Sequence, residues 1–252
     1  MKTSITYNNF EYAYSQTLPE YGEGWGDYSE ILRKKMQEVS NLIEHCNMVA
    51  DLVKPGGDII SDMSGEAAAK LHMAIGISGE CGELADAINY ASITKTKVDE
   101  ENVIEEIGDI LFYVEGALYE LDMSSFYFEG TEVVATYEDL YAESGCKYYK
   151  AHKDGLTQSN PMCIFDIMSV KAGDFLDLVK KHAIYAKELD ERKYTETLCG
   201  VRYFLGIFCA YCGYSIDKCR EANMMKLLKG DKARYKDGKY SNEAAQNRAD
   251  KK

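Results

Sequence analysis

An all-α fold is predicted by three features of the sequence: proline is scarce, apolar residues recur near a 3.6-residue period, and the alternation of half-buried strands is hard to find. Only 3 prolines occur in 252 residues. Proline removes an amide donor and clashes with the preceding turn, so its scarcity suits long helices. Apolar residues make up 46% and charged residues 28%, a globular balance in a chain long enough to bury a core.

Taken in order, residues 1–28 are rich in tyrosine, glycine and polar residues and read as an irregular aromatic arm. A helix is expected over 29–54, where Ile31, Met36, Val39, Leu42, Ile43, Cys46, Val49 and Val53 keep helical spacing. Pro55-Gly56-Gly57 ends it. Ser64, followed by Glu66 and an alanine run, is placed to cap the next helix. That helix continues through Leu71, Ala74, Ile75, Leu84, Ala87 and Ile88, with a bend expected near Gly76 or Gly79. After the polar ITKTKVDEEN, a further helix begins near Asp99 and carries Val103, Ile104, Ile107, Ile110, Leu111 and Val114. Residues 125–165, with many tyrosines, Gly155 and Asn160-Pro161, read as a connector with some helix, and the helical pattern resumes near Ser169. The last residues carry a turn at Asp237-Gly238 and are expected to wrap an existing surface. The organisation expected is an arm and helix over 1–63, a helical pair over 64–125, a connector over 126–165, and a second helical pair with its tail over 166–252.

The formal charge is −13. An acidic chain repels phosphate backbones, which argues against nucleic acid as a general partner. The charge is uneven, because Lys226–Lys252 holds nine Lys/Arg against four Asp/Glu. An acidic body with a basic tail suits carboxylates that hold cations and a tail that holds an anion; a plain solvated terminus has the same composition. Eight irregularly spaced cysteines and no secretion signal point to a reduced, intracellular protein. Cys209 and Cys212 form a CxxC without a second ligand pair, and read as two small apolar side chains on one helical face. Acids and lysines interrupt every candidate membrane span. His45, His72, His152 and His182 are scattered and pair with no nucleophile at a recognisable spacing.

Shifting the chain by 91 residues aligns it with itself without gaps: Gly82 on Gly173, Asp86 on Asp177, Asp99-Glu100 on Asp190-Glu191, Ser124 on Ser215. Two tandem helical hairpins are the expectation. The second is degenerate, since Glu80, Glu83, Glu106 and Asp109 fall on Lys171, Asp174, Thr197 and Gly200.

Those four acids are the chemistry of the first hairpin. Residues three apart on a helix share a face, so Glu80 points with Glu83, and Glu106 with Asp109. Antiparallel packing would gather both pairs. Carboxylates held close in a partly dry site repel one another, and protonation or a divalent cation relieves this. All-oxygen ligands favour magnesium or manganese. Gly79, Gly82 and Gly108 cost helix stability, about 1 kcal/mol each relative to alanine, and would let a helix or phosphate come close. Acidic pairs also decorate solvated faces, so the residues alone leave both outcomes open.

The segments HMAIGISGECGELADAI and ENVIEEIGDILFYVEGAL resemble the MazG-like, all-α nucleoside triphosphate pyrophosphohydrolases, whose ExxE…ExxD signature is matched by Glu80, Glu83, Glu106 and Asp109. NMVADLVKPGGDI and the tail from Asn223 also resemble the short versions of bacteria and their phages. The resemblance implies a helical bundle that hydrolyses a (deoxy)nucleoside triphosphate to monophosphate and pyrophosphate in the bacterial or phage-infected cytoplasm. It implies that the four acids bind Mg2+, with Mn2+ as substitute, and that Glu80 or Glu83 takes the proton of the attacking water. Asn223, Lys226 and Arg234 would face the phosphates or base, and Tyr235 and Tyr240 would stack on the base. Family members assemble as dimers or tetramers, so a homo-oligomer is expected. One departure stands out: the acids sit in the first hairpin and the tail follows the second, as though one chain imitated a dimer. Helical dUTPases, dCTPases and phosphoribosyl-ATP pyrophosphohydrolases share the acidic cluster and are the alternatives, and a non-catalytic helical nucleotide-binding protein is another.

Overall fold

The structure, a computed structural model, describes residues 26–121, 147–155 and 161–248. Residues 1–25 of the expected aromatic arm and much of the connector lie outside the described residues; residues 26–28, expected to be irregular, open a helix. The chain divides into two units, residues 1–61 and 62–252.

The first unit holds helix α1 (Gly26–Leu52) and nearly all of a short helix α2 (Gly56–Asp62). Helix α1 ends before Pro55 as expected. The glycine pair that should only stop it opens α2, in which Asp58 lies in the first turn, where an acid complements the helix dipole.

The second unit is built on four helices: α3 (Gly65–Thr94), α4 (Glu100–Tyr119), α6 (Pro161–Tyr185) and α7 (Glu191–Cys212), with a short helix α5 (Lys147–Lys153) before α6. Helix α3 packs on α4 and on α6, and α7 packs on α6 and on α4, so the four close into a ring around one core. Their starts are written in the sequence. Ser64 Oγ accepts from the Ala67 amide at 3.0 Å, Asp99 from Asn102 at 3.2 Å and Asp190 from Lys193 at 3.1 Å; such caps contribute about 1 kcal/mol each. Pro161 occupies the first position of α6, so that helix starts earlier than the expected Ser169. Proline fits there because the first amide has no helical partner in any case.

The core is apolar: Ile77, Leu84, Ile107, Ile110, Leu111, Phe175 and Phe204 are fully buried. Tyr194 of α7 is buried too, and its hydroxyl donates to the Ala117 carbonyl of α4 at 2.9 Å, tying the two hairpins together. Helix α3 runs unbroken through Gly76 and Gly79, against the expected bend. Gly76 serves another purpose: a Cβ there would sit 2.3 Å from the ring of Tyr113 on α4. The connections 95–99 and 186–190 each open on a left-handed residue, Lys95 and Ala186, positions again 91 apart.

After α7, Ser215 caps helix α8 (Ile216–Met224), which packs on α4 of the other hairpin. A π-helical turn over Met225–Lys229 and a short helix α9 (Asn242–Asn247) complete the tail. Gly108 makes the α4–α8 contact feasible, because a Cβ there would lie 2.6 Å from the Cys219 carbonyl oxygen and 3.0 Å from Asn223 Cβ. Gly79 and Gly82, expected to let a helix or a phosphate come close, meet no helix: nothing lies within 4 Å of an added Cβ. The CxxC splits: Cys209 is buried, its free thiol in a hydrogen bond with the Cys219 thiol, whereas Cys212 is exposed. Among the described residues, no helix is long and apolar enough to cross a membrane.

Candidate metal and nucleotide site

The packing of α3 against α4 brings both acidic pairs to one cleft. One carboxylate oxygen from each of Glu80, Glu83 and Glu106 lies within 4.8 Å of the others. Glu106 is 5% exposed, Glu80 is half-buried and Glu83 faces solvent. Burial first, then the charges of Asp109 and Glu83, push the Glu80 carboxyl up to about 8, and it is hydrogen-bonded to Glu106. Burial also raises Glu106, although its bond to Glu80 works the other way. Two carboxyl groups can share such a bond only through a proton, so the nest is held by a proton when no cation is present. Three clustered oxygen donors with a proton that a cation can replace fit a hard divalent ion.

Asp109 stands beside this cluster, and its two oxygens are taken by the tail. Asn223 Nδ2 donates to Oδ1 at 2.7 Å and Lys226 Nζ to Oδ2. Lys226 also pairs with Glu105 at 2.7 Å. Burial alone would lower the Lys226 ammonium, yet its bonds to Asp109 and Glu105 outweigh this and hold it above its ordinary pKa. Two of the expected substrate residues therefore meet a carboxylate in this state.

The cleft encloses about 1160 Å³ and runs along α4 beneath the tail. Arg234, Tyr235 and Tyr240 line it, with the two tyrosine rings 5.9 Å apart. Tyr240 is 71% exposed. On the α3–α4 side Tyr113 stands edge-on to His72 and to Phe112. Its hydroxyl is raised first by burial and then by Glu80 and Asp109, while Arg234 and Lys226 oppose this, which places all four charges around it.

Two residues in this arrangement escaped sequence reasoning. Glu105 follows the helical rule, four residues before Asp109 and so on its face, but it adjoins Glu106, which alone keeps the three-residue spacing to Asp109. Tyr113 continues the same face one turn on, and Gly76 opposite it was the signal that a ring needed room. At the sites of the second hairpin, Lys171 pairs with Asp174 at 2.7 Å and lies 5.5 Å from the Tyr148 ring centre. An internal ion pair thus stands where the first hairpin has its first acidic pair.

Comparison with known proteins agrees with the motif. Residues 69–136 match the family model described as MazG nucleotide pyrophosphohydrolase domain. No curated protein and no solved structure matches the chain. The segment that carries Glu80, Glu83, Glu106 and Asp109, all-helical over its described residues, is a MazG nucleotide pyrophosphohydrolase domain.

Proposed function

We propose that the protein is a magnesium-dependent hydrolase that cleaves a (deoxy)nucleoside triphosphate between its α and β phosphates, releasing monophosphate and pyrophosphate. The observation that carries this is the convergence of Glu80, Glu83 and Glu106, with Asp109 alongside, in a cleft whose opposite wall is basic and aromatic. Mg2+ held by these four acids, or Mn2+ in its place, would neutralise phosphate charge and lower the pKa of the attacking water.

The side chains supply the rest. Glu83, the exposed member of the nest, is the better placed to accept the water's proton; Glu80 is bonded to Glu106. Arg234 and Lys226 face the phosphate end and stabilise charge that moves to the leaving pyrophosphate. Tyr240, with Tyr235 behind it, offers a ring on which the base stacks.

The second hairpin is read as a degenerate copy that keeps the bundle and delivers the tail. Helix α8 follows α7 yet packs on α4, so nucleotide contacts cross from the second hairpin to the acids of the first. The site is expected to work in the cytoplasm of a bacterium or phage-infected cell, and further association into dimers or tetramers is in keeping with the family.

Pyrophosphate release from a panel of ribo- and deoxynucleoside triphosphates, with phosphoribosyl-ATP included, tests the activity and finds the preferred base. Turnover should need Mg2+ and fall at least about 100-fold in Glu106→Gln, the scale of losing a group that acts in the transition state. Near-wild-type turnover in a folded Glu106→Gln protein refutes the assignment.

A further inference from the structure

Asp109 offers both of its oxygens to the tail, so a metal that takes either one competes with a donor already there, and on Oδ2 with a cation. Its ties are unlike in kind: Asn223 is a neutral donor, while Lys226 is a cation shared with Glu105. The Lys226 side chain is only 10% exposed and Asp109 only 16%. An ammonium in that position does for Asp109 and Glu105 what a divalent ion would do, offsetting their charge out of water. It is also attached to the π-helical turn, a geometry uncommon enough to be associated with functional sites.

We propose that Lys226 is the resident counter-cation of this end of the acidic nest, and that capture of a divalent ion by Asp109 frees its ammonium for the nucleotide's phosphates. The exchange rests on the functional reading above and deepens it. Opposite charges stay paired at each stage: the ammonium faces Asp109 and Glu105 in the free protein, and Glu105 and phosphate oxygens once Asp109 has taken the divalent ion. Glu105 is the pivot, because it lies outside the Glu80–Glu83–Glu106 cluster and can keep one bond to Lys226 while Asp109 lets go. Lys226 is then a substrate-binding residue for which carboxylate and phosphate compete, and metal and nucleotide each strengthen the binding of the other. Coupling of this kind is reciprocal and usually falls between about 5- and 150-fold.

Calorimetric titration of the full chain with Mn2+ alone tests the competition. Lys226→Met should bind Mn2+ about 5- to 10-fold more tightly than wild type, near the low end of that coupling range. Lys226→Arg, which retains the charge, and Lys239→Met, which removes a cleft cation outside the acidic contact, should each stay within about twofold of wild type. Lys226→Met should also lose most of the gain that Mn2+ gives to binding of a non-hydrolysable triphosphate. Lysine-¹⁵N NMR of the wild-type chain needs no folded variant: the Lys226 ammonium signal should shift on Mg2+ addition and shift again when the analogue follows. An Mn2+ affinity in Lys226→Met equal to or weaker than wild type, or an ammonium signal unmoved at saturating Mg2+, overturns the exchange alone. Absence of any Mn2+ binding that Glu106→Gln weakens overturns the metal reading itself, and the exchange with it.

Discussion

Gly108→Ala tests whether the tail's seat on α4 matters for the site. A Cβ at this position meets the Cys219 carbonyl oxygen at 2.6 Å and Asn223 Cβ at 3.0 Å. Backbone cannot swing aside as a flexible side chain can, so α8 would have to retreat by roughly 0.8 Å to reach ordinary contact. Overpacking of this kind costs about 1–3 kcal/mol, and the gain in helix propensity returns about 1 kcal/mol. The net loss is therefore about 1 kcal/mol, or a Tm lower by roughly 2–4 °C for a unit of this size. Turnover should fall further than stability does, by about tenfold or more, because Asn223 and Lys226 move with α8. Gly82→Ala is the matched control for stability: nothing lies within 4 Å of its added Cβ, so it should gain up to about 1 kcal/mol. Thermal and urea denaturation of both variants, with pyrophosphate release for Gly108→Ala, decide the matter. A Gly108→Ala protein as stable and as active as wild type would show that α8 does not bear on α4 in this way.

Tyr194→Phe should cost about 1 kcal/mol in urea denaturation, since it deletes the buried bond to the Ala117 carbonyl while leaving the ring packed; no loss would mean the hairpins are not tied there. Stability of the metal-free protein should fall as pH rises from about 5 to 8. The folded state holds the Glu80 proton up to about 8 against an ordinary 4.5, so folding binds a proton that rising pH makes scarce, and this contribution is complete only below the unfolded pKa. The slope is at most about 1.4 kcal/mol per pH unit and smaller for a half-exposed carboxyl; Mg2+ should raise Tm more near pH 8 than near pH 5, and an equal rise at both would contradict the shared proton. Equilibrium dialysis with a non-hydrolysable triphosphate should find one nucleotide per chain, as Lys171 and Asp174 neutralise each other in the second hairpin; two per chain would mean that the second hairpin binds nucleotide as well.

Local rules were legible in the sequence, and long-range ones were not. The cap at Ser64, the helix start near Asp99 and the pairing of acids three residues apart depend only on helical geometry, so the residues announce them. The start of α6 is hidden because Asn160-Pro161 reads as a turn, although proline is also at home in the first helical turn. The glycines illustrate the limit. Gly79, Gly82 and Gly108 look alike in the motif, yet only Gly108 meets another helix, and that helix lies more than a hundred residues away in sequence. Spacing places Asp109 with the other three acids; its engagement by Asn223 and Lys226 depends on where the tail folds back, which periodicity does not encode.

The most direct test is a crystal grown with Mn2+ and a non-hydrolysable triphosphate, with the metal located by anomalous scattering. The account predicts peaks among the oxygens of Glu80, Glu83, Glu106 and Asp109, with the phosphates between them and Lys226 and Arg234. Metal peaks elsewhere, with these four side chains still bonded as in the free protein, would contradict it.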